Sequence, residues 1–247
     1  AVNAARGIAF QVNGALAGFV NNINVAVKPQ LTQAYAQGDK QRTFSLMFSI
    51  SKLCYIILLL MAIPICIEIN YILGLWLGDN VPKYTSIFII LVIATTFINN
   101  LNAPVSFVVH AIGKMKRYQI VTSAIELFIL PIAYLILKMG GEPWVVFVVA
   151  FFFVLLGQVF SLILLKELED YSIAFYLKSV IIPLVIVTIG GILIAYVPTL
   201  ILGEGFERMI LVGVVSTIAI CFLSYVFGLN GIEKNMIKNI MRVKRKK

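Results

Sequence analysis

Three charged side chains sit inside long apolar stretches of this sequence: Arg6, Lys52 and Glu126. In hydrocarbon an ion costs at least about 2.5 kcal/mol, so each requires an opposite charge, water or a ligand. A guanidinium or an ammonium suits a phosphate, whereas a buried carboxylate takes up a proton or pairs with a cation. Arg6 belongs to a set, because Asn3, Arg6, Asn13, Asn21, Asn24 and Lys28 recur at helical spacing and fall on one face. That stripe has two readings: amides that bond neighbouring helices, or the lining of a hydrated cavity. Arg6, Asn13, Asn21 and Asn24 are therefore candidate substrate-binding residues. Lys52 shares a face with Ser45 and Ser49, and is either a fifth candidate or a side chain that snorkels to the headgroups. Glu126 is the only acid deep in any apolar stretch, which makes it a candidate for an ion pair or for coupling to a cation or proton.

Catalysis has no comparable signal. The sequence contains no glycine-rich phosphate loop ending in Lys and Ser or Thr, no H-E-x-x-H helix and no G-x-S-x-G elbow. The expectation is a protein that is not an enzyme and holds no cofactor or metal, with Na⁺ or H⁺ coupling open. Cys54, Cys66 and Cys221 lie in apolar runs without metal-ligand spacing and read as small core side chains. The lone His110 closes a polar cluster of Asn99, Asn100, Asn102 and Ser106, and is expected at the membrane interface. Pro104 and Pro131 fall inside apolar stretches, where each is expected to kink a helix.

The elements that position these residues follow from composition. Of the 247 residues, 61% are hydrophobic and 13% charged, and mean hydropathy is +0.99. Such a chain would leave extensive apolar surface in water, so its solvent is a bilayer. Crossing about 30 Å of hydrocarbon takes about 20 helical residues. Seven stretches qualify, at roughly 2–27, 44–68, 85–110, 118–138, 144–165, 179–197 and 208–228, giving an all-α integral membrane protein. Short connections with turn residues, such as Gln37-Gly38-Asp39 and Gly203-Glu204-Gly205, leave no room for a soluble domain. Residues 68–84 carry Trp76 and two tyrosines and are expected to lie along the membrane surface.

The net charge of +9 does not point to nucleic acid, because the basic residues are confined mainly to connections and to the end of the chain. Alternate connections divide them fifteen to four, and seven of the fifteen lie between Lys234 and Lys247. The positive-inside rule then places the C-terminus in the cytoplasm and Ala1 outside. An exported N-terminus with no leader of the secretory type reads as a piece of a longer protein whose preceding helices are missing.

Several segments resemble bacterial polysaccharide flippases of the MOP (MATE-like) superfamily. They are Val2 to Leu16, Pro29-Gln30, Tyr35-Ala36-Gln37-Gly38-Asp39, Gly74-Leu75-Trp76-Leu77-Gly78, and Ala111 to Gln119. The resemblance implies two six-helix lobes around a central cavity, with two extra C-terminal helices. Residues 1–165 would then be C-terminal lobe helices, 166–228 the two further helices and 229–247 a basic cytoplasmic tail. It also implies a multi-pass protein of the bacterial cytoplasmic membrane, partnered by membrane lipids and by the missing N-terminal half of the same protein. Its activity would be to move undecaprenyl-pyrophosphate-linked oligosaccharide between leaflets for surface polysaccharide synthesis, such as O-antigen. The cationic and amide stripe fits a pyrophosphate and its sugars. A cation-coupled multidrug exporter of the same superfamily is the nearest alternative. A membrane polymerase or glycosyltransferase is disfavoured by connections of about 16 residues at most, and a purely structural membrane partner is the third alternative.

Overall fold

Long runs with few polar side chains leave the backbone amides no partner but their own chain, and in lipid the single-chain solution is a helix. The computed structural model describes residues 2–169, 171–231 and 233–234, and among them it contains helices and turns but no strand. In chain order the helices are α1 (Val2–Ala36), α2 (Lys40–Ile67), α3 (Ile69–Leu77), α4 (Thr85–Ile112), α5 (Met115–Leu127) and α6 (Ile129–Lys138). They continue with α7 (Val145–Leu168), α8 (Ile173–Tyr176), α9 (Ile182–Ile201) and α10 (Phe206–Leu223). Wider π-helical turns at Leu177–Ile181 and Ser224–Gly228 join α8 to α9 and extend α10.

Six helical segments are long and apolar enough to cross a membrane: α2, α4, α5–α6, α7, α8–α9 and α10 with its π turn. The protein is an all-α, multi-pass membrane protein. The first expected span is a helix of 35 residues, not 26, and runs through Pro29. Its polar stripe leaves α1 outside the six. The break expected at Pro131 falls at Phe128, between α5 and α6. A proline ring clashes with the carbonyl four residues earlier, here Leu127, and the regular ladder stops there. At Pro104, by contrast, α4 is continuous. The segment 68–84, expected along the membrane surface, contains α3, with Trp76 half exposed.

Helix α4 is the hub. It packs against α1, α2 and α7, and its Phe88, Ile89, Val105, Val108 and Val109 are fully buried. Across α2 lies the α9–α10 pair. Gly190 and Gly191 permit that approach: a methyl group on Gly191 would stand 3.2 Å from both Ile220 of α10 and Ile63 of α2. Two ion pairs hold the pair at its ends. The Arg208 guanidinium donates from Nε and Nη2 to the Glu68 carboxylate at 2.9 and 2.8 Å. At the other end Lys52 pairs with Glu233. The tail residues Lys238, Arg242 and Lys244 to Lys247 lie outside the described residues.

Candidate functional site

The polar stripe of α1 is divided by its neighbour α4. Asn24 is buried, donates to Asn100 Oδ1 at 3.4 Å and accepts from the Cys54 thiol at 3.5 Å. Asn13 accepts from Thr96 Oγ1 at 2.7 Å. These two amides serve helix packing, as buried polar groups in a bundle must, and a ligand could take Asn24 only by parting α1 from α4. Arg6 and Asn21 remain exposed. Fifteen residues of helix separate them, about 22 Å along the axis. The structure therefore splits the expected set into a packed pair and an open pair.

Arg6 lines a cleft of about 490 Å³ formed by the first turns of α1 with α4, α6 and α7. Its guanidinium lies 5.4 Å from the centroid of the Phe10 ring. Phe10 in turn approaches Phe147 at 6.3 Å, and Phe147 approaches Phe88 at 4.6 Å. Among the described residues Arg6 takes part in none of the ion pairs. A cation over aromatic rings, beside open space, can bind an anionic headgroup while the rings take apolar substituents.

Lys52 requires a correction. It is neither open to a ligand nor reaching toward headgroups: its side chain is 2% exposed and its ammonium meets Glu233 Oε2. Ser49 Oγ donates to Glu233 Oε1 at 2.8 Å, and the Asn230 backbone N–H donates to Oε2 at 2.8 Å. Every oxygen of that carboxylate is satisfied, and the pair fastens the segment after α10 to α2. The sequence signal was present in Glu233, an acid ahead of a basic tail, but linear distance concealed it.

Glu126 lies near the middle of the α5–α6 span and is exposed. Only 6% of the most apolar part of this span is buried. Gln119 and Ser123, which share an exposed side of α5 with Glu126, are hydrogen-bonded to each other at 3.2 Å. No ion pair among the described residues includes Glu126. Two span-length segments thus carry uncovered polar groups that hydrocarbon would penalise.

Another acid, not singled out in the sequence, closes the lysine-rich end. Glu169 accepts from the Tyr35 hydroxyl at 2.6 Å and pairs with Lys40 at 2.6 Å. Burial pushes its pKa up, but the Lys40 and Tyr35 hydrogen bonds outweigh burial and hold it below the ordinary 4.5. No cluster of three His, Cys, Asp or Glu side chains gathers among the described residues to hold a metal. No family model, curated protein or solved structure matches the chain.

Proposed function

We propose that this chain forms one wall of a transmembrane route for an amphiphile with an anionic head. In its specific form, the route is that of a flippase for lipid-linked oligosaccharide in the bacterial cytoplasmic membrane. The observation that carries the reading is Arg6, a guanidinium with no acid partner among the described residues, set in an aromatic cleft on a polar helix face. Phosphate is the natural counter-charge for such a group, and a polyprenyl chain suits the neighbouring rings. The open amide of Asn21 offers a further hydrogen-bonding position toward the middle of the same helix. The resemblance of Val2 to Leu16 and Ala111 to Gln119 to polysaccharide flippases points the same way. Under this proposal a further helical lobe covers the polar faces of α1 and α5, and the lysine-rich ends face the cytoplasm. No bond-making step is assigned to the chain.

The test uses the intact parent gene in a deletion strain, with surface glycan and lipid-linked repeat units as readouts. Wild type restores surface glycan, whereas Arg6→Ala at normal protein level leaves repeat units trapped inside. Normal glycan after deletion, or full restoration by Arg6→Ala, overturns the reading. A second reading, cation-coupled drug export, draws its support from the uncovered Glu126.

A further inference from the structure

A second open site lies at the opposite end of the bundle from Arg6, where α4 turns into α5. Gly113 makes the turn with a backbone φ of 81°, a left-handed value that costs glycine nothing. The turn carries Lys114, Lys116 and Arg117, all exposed, around a cleft of about 460 Å³ whose remaining lining includes Ile120 and Val121. Arg117 is already engaged, 2.6 Å from Glu167. Neither Lys114 nor Lys116 joins an ion pair among the described residues. Toward the membrane interior the same side of α5 continues as Ile120, Ala124 and Leu127, at helical steps of four and three, and ends beside Phe128. Ile120, Leu127 and Phe128 are 58%, 74% and 58% exposed. Two ammonium groups outside the ion pairs, of which Lys114 also lies within electrostatic reach of Glu169, therefore stand above an uncovered apolar track. That is the shape and charge of an anionic phospholipid, with its phosphate at the turn and an acyl chain along α5.

We propose that the α4–α5 turn is a binding site for one anionic phospholipid of the leaflet at the lysine-rich end, held by Lys114 and Lys116. The site is independent of the transport reading, because neither lysine belongs to the α1 face. Charge complementarity selects the occupant: a zwitterionic lipid brings its own cation and gains little from the two ammonium groups. Each lysine near a membrane surface contributes about fivefold in affinity, so removing both should weaken binding about 25-fold.

The experiment titrates the full chain, purified in detergent, with phosphatidylglycerol and with phosphatidylcholine, and counts bound lipids by native mass spectrometry. Phosphatidylglycerol should bind preferentially, and K114Q/K116Q should abolish that preference. The control K138Q, at the other end of the same span, should keep it. Both lysines are exposed, so the double variant keeps its fold, checked by elution volume. Equal binding of the two lipids, retention by the double variant, or equal loss in K138Q overturns the proposal. Competition by inorganic phosphate at equal concentration would also overturn it, because the track along α5 would then contribute nothing.

Discussion

Removing one member of the Lys52–Glu233 pair distinguishes a buried latch from an ammonium that reaches toward headgroups. With Lys52 2% and Glu233 8% exposed, Lys52→Met strands a carboxylate in a low-dielectric setting, for which the cost is about 3–5 kcal/mol. Ser49 and the Asn230 backbone N–H still donate to that carboxylate, which places Lys52→Met toward the lower bound. Glu233→Leu strands an ammonium with no comparable substitute and belongs toward the upper bound. The double variant removes both charges, and a well-packed apolar replacement is often neutral, so it should return to within about 1 kcal/mol of wild type. The cycle therefore predicts strong non-additivity, with the double variant more stable than either single one. Reversible unfolding in mixed micelles, followed by tryptophan fluorescence from Trp76 and Trp144, measures all four corners. Single costs below about 1 kcal/mol, the value of an exposed pair, together with additive behaviour would refute the buried latch.

Two further outcomes follow from the other acids. Glu169 has a lowered pKa, so its contribution is fully present above the unfolded value of about 4.5 and is lost as pH falls through the lower folded value. Stability should therefore be insensitive to this group from neutral pH down to about 4.5 and decline only below, and Glu169→Gln should remove that acid-side step. A step centred near pH 6 would contradict the assignment. Glu126 is exposed near the middle of its span and unpaired among the described residues, so Glu126→Gln removes a charge that hydrocarbon penalises and should not lower stability; a loss would reveal a partner. If Glu126 couples a cation to transport, the same variant abolishes ion-driven drug efflux in vesicles; unchanged efflux removes the second functional reading.

Helix placement was legible because hydrocarbon thickness and backbone satisfaction act locally along the chain. The stretches expected at 85–110 and 144–165 became Thr85–Ile112 and Val145–Leu168. The extension of α1 to Ala36 was not legible, because its last turns owe their helicity to contacts such as the buried Leu31 and Ala34, not to an apolar run. At the candidate site, spacing places Arg6, Asn13, Asn21 and Asn24 on one face. Periodicity gives an angle around a helix but not the position of the neighbour, so it could not divide that face into amides bonded to α4 and groups left open. The partner of Lys52 lies 181 positions away, beyond any local pattern. The Glu68–Arg208 pair spans 140 positions and was hidden for the same reason.

That pair and Lys52–Glu233 also constrain how the molecule can move. One attachment between two rods permits pivoting, whereas two well-separated attachments fix tilt as well as distance. Sixteen residues of helix lie between Lys52 and Glu68, about 24 Å, nearly the depth of the hydrocarbon layer. Any rearrangement that keeps both clamps closed must carry α2 and α10 together as one body, and α9 follows only through its packing on both. Bending is then left to the joints outside that body, and the break at Phe128 is one such joint in the least covered span. Cross-links between α2 and α9 should leave such a motion intact, while a cross-link spanning the α5–α6 break should arrest it.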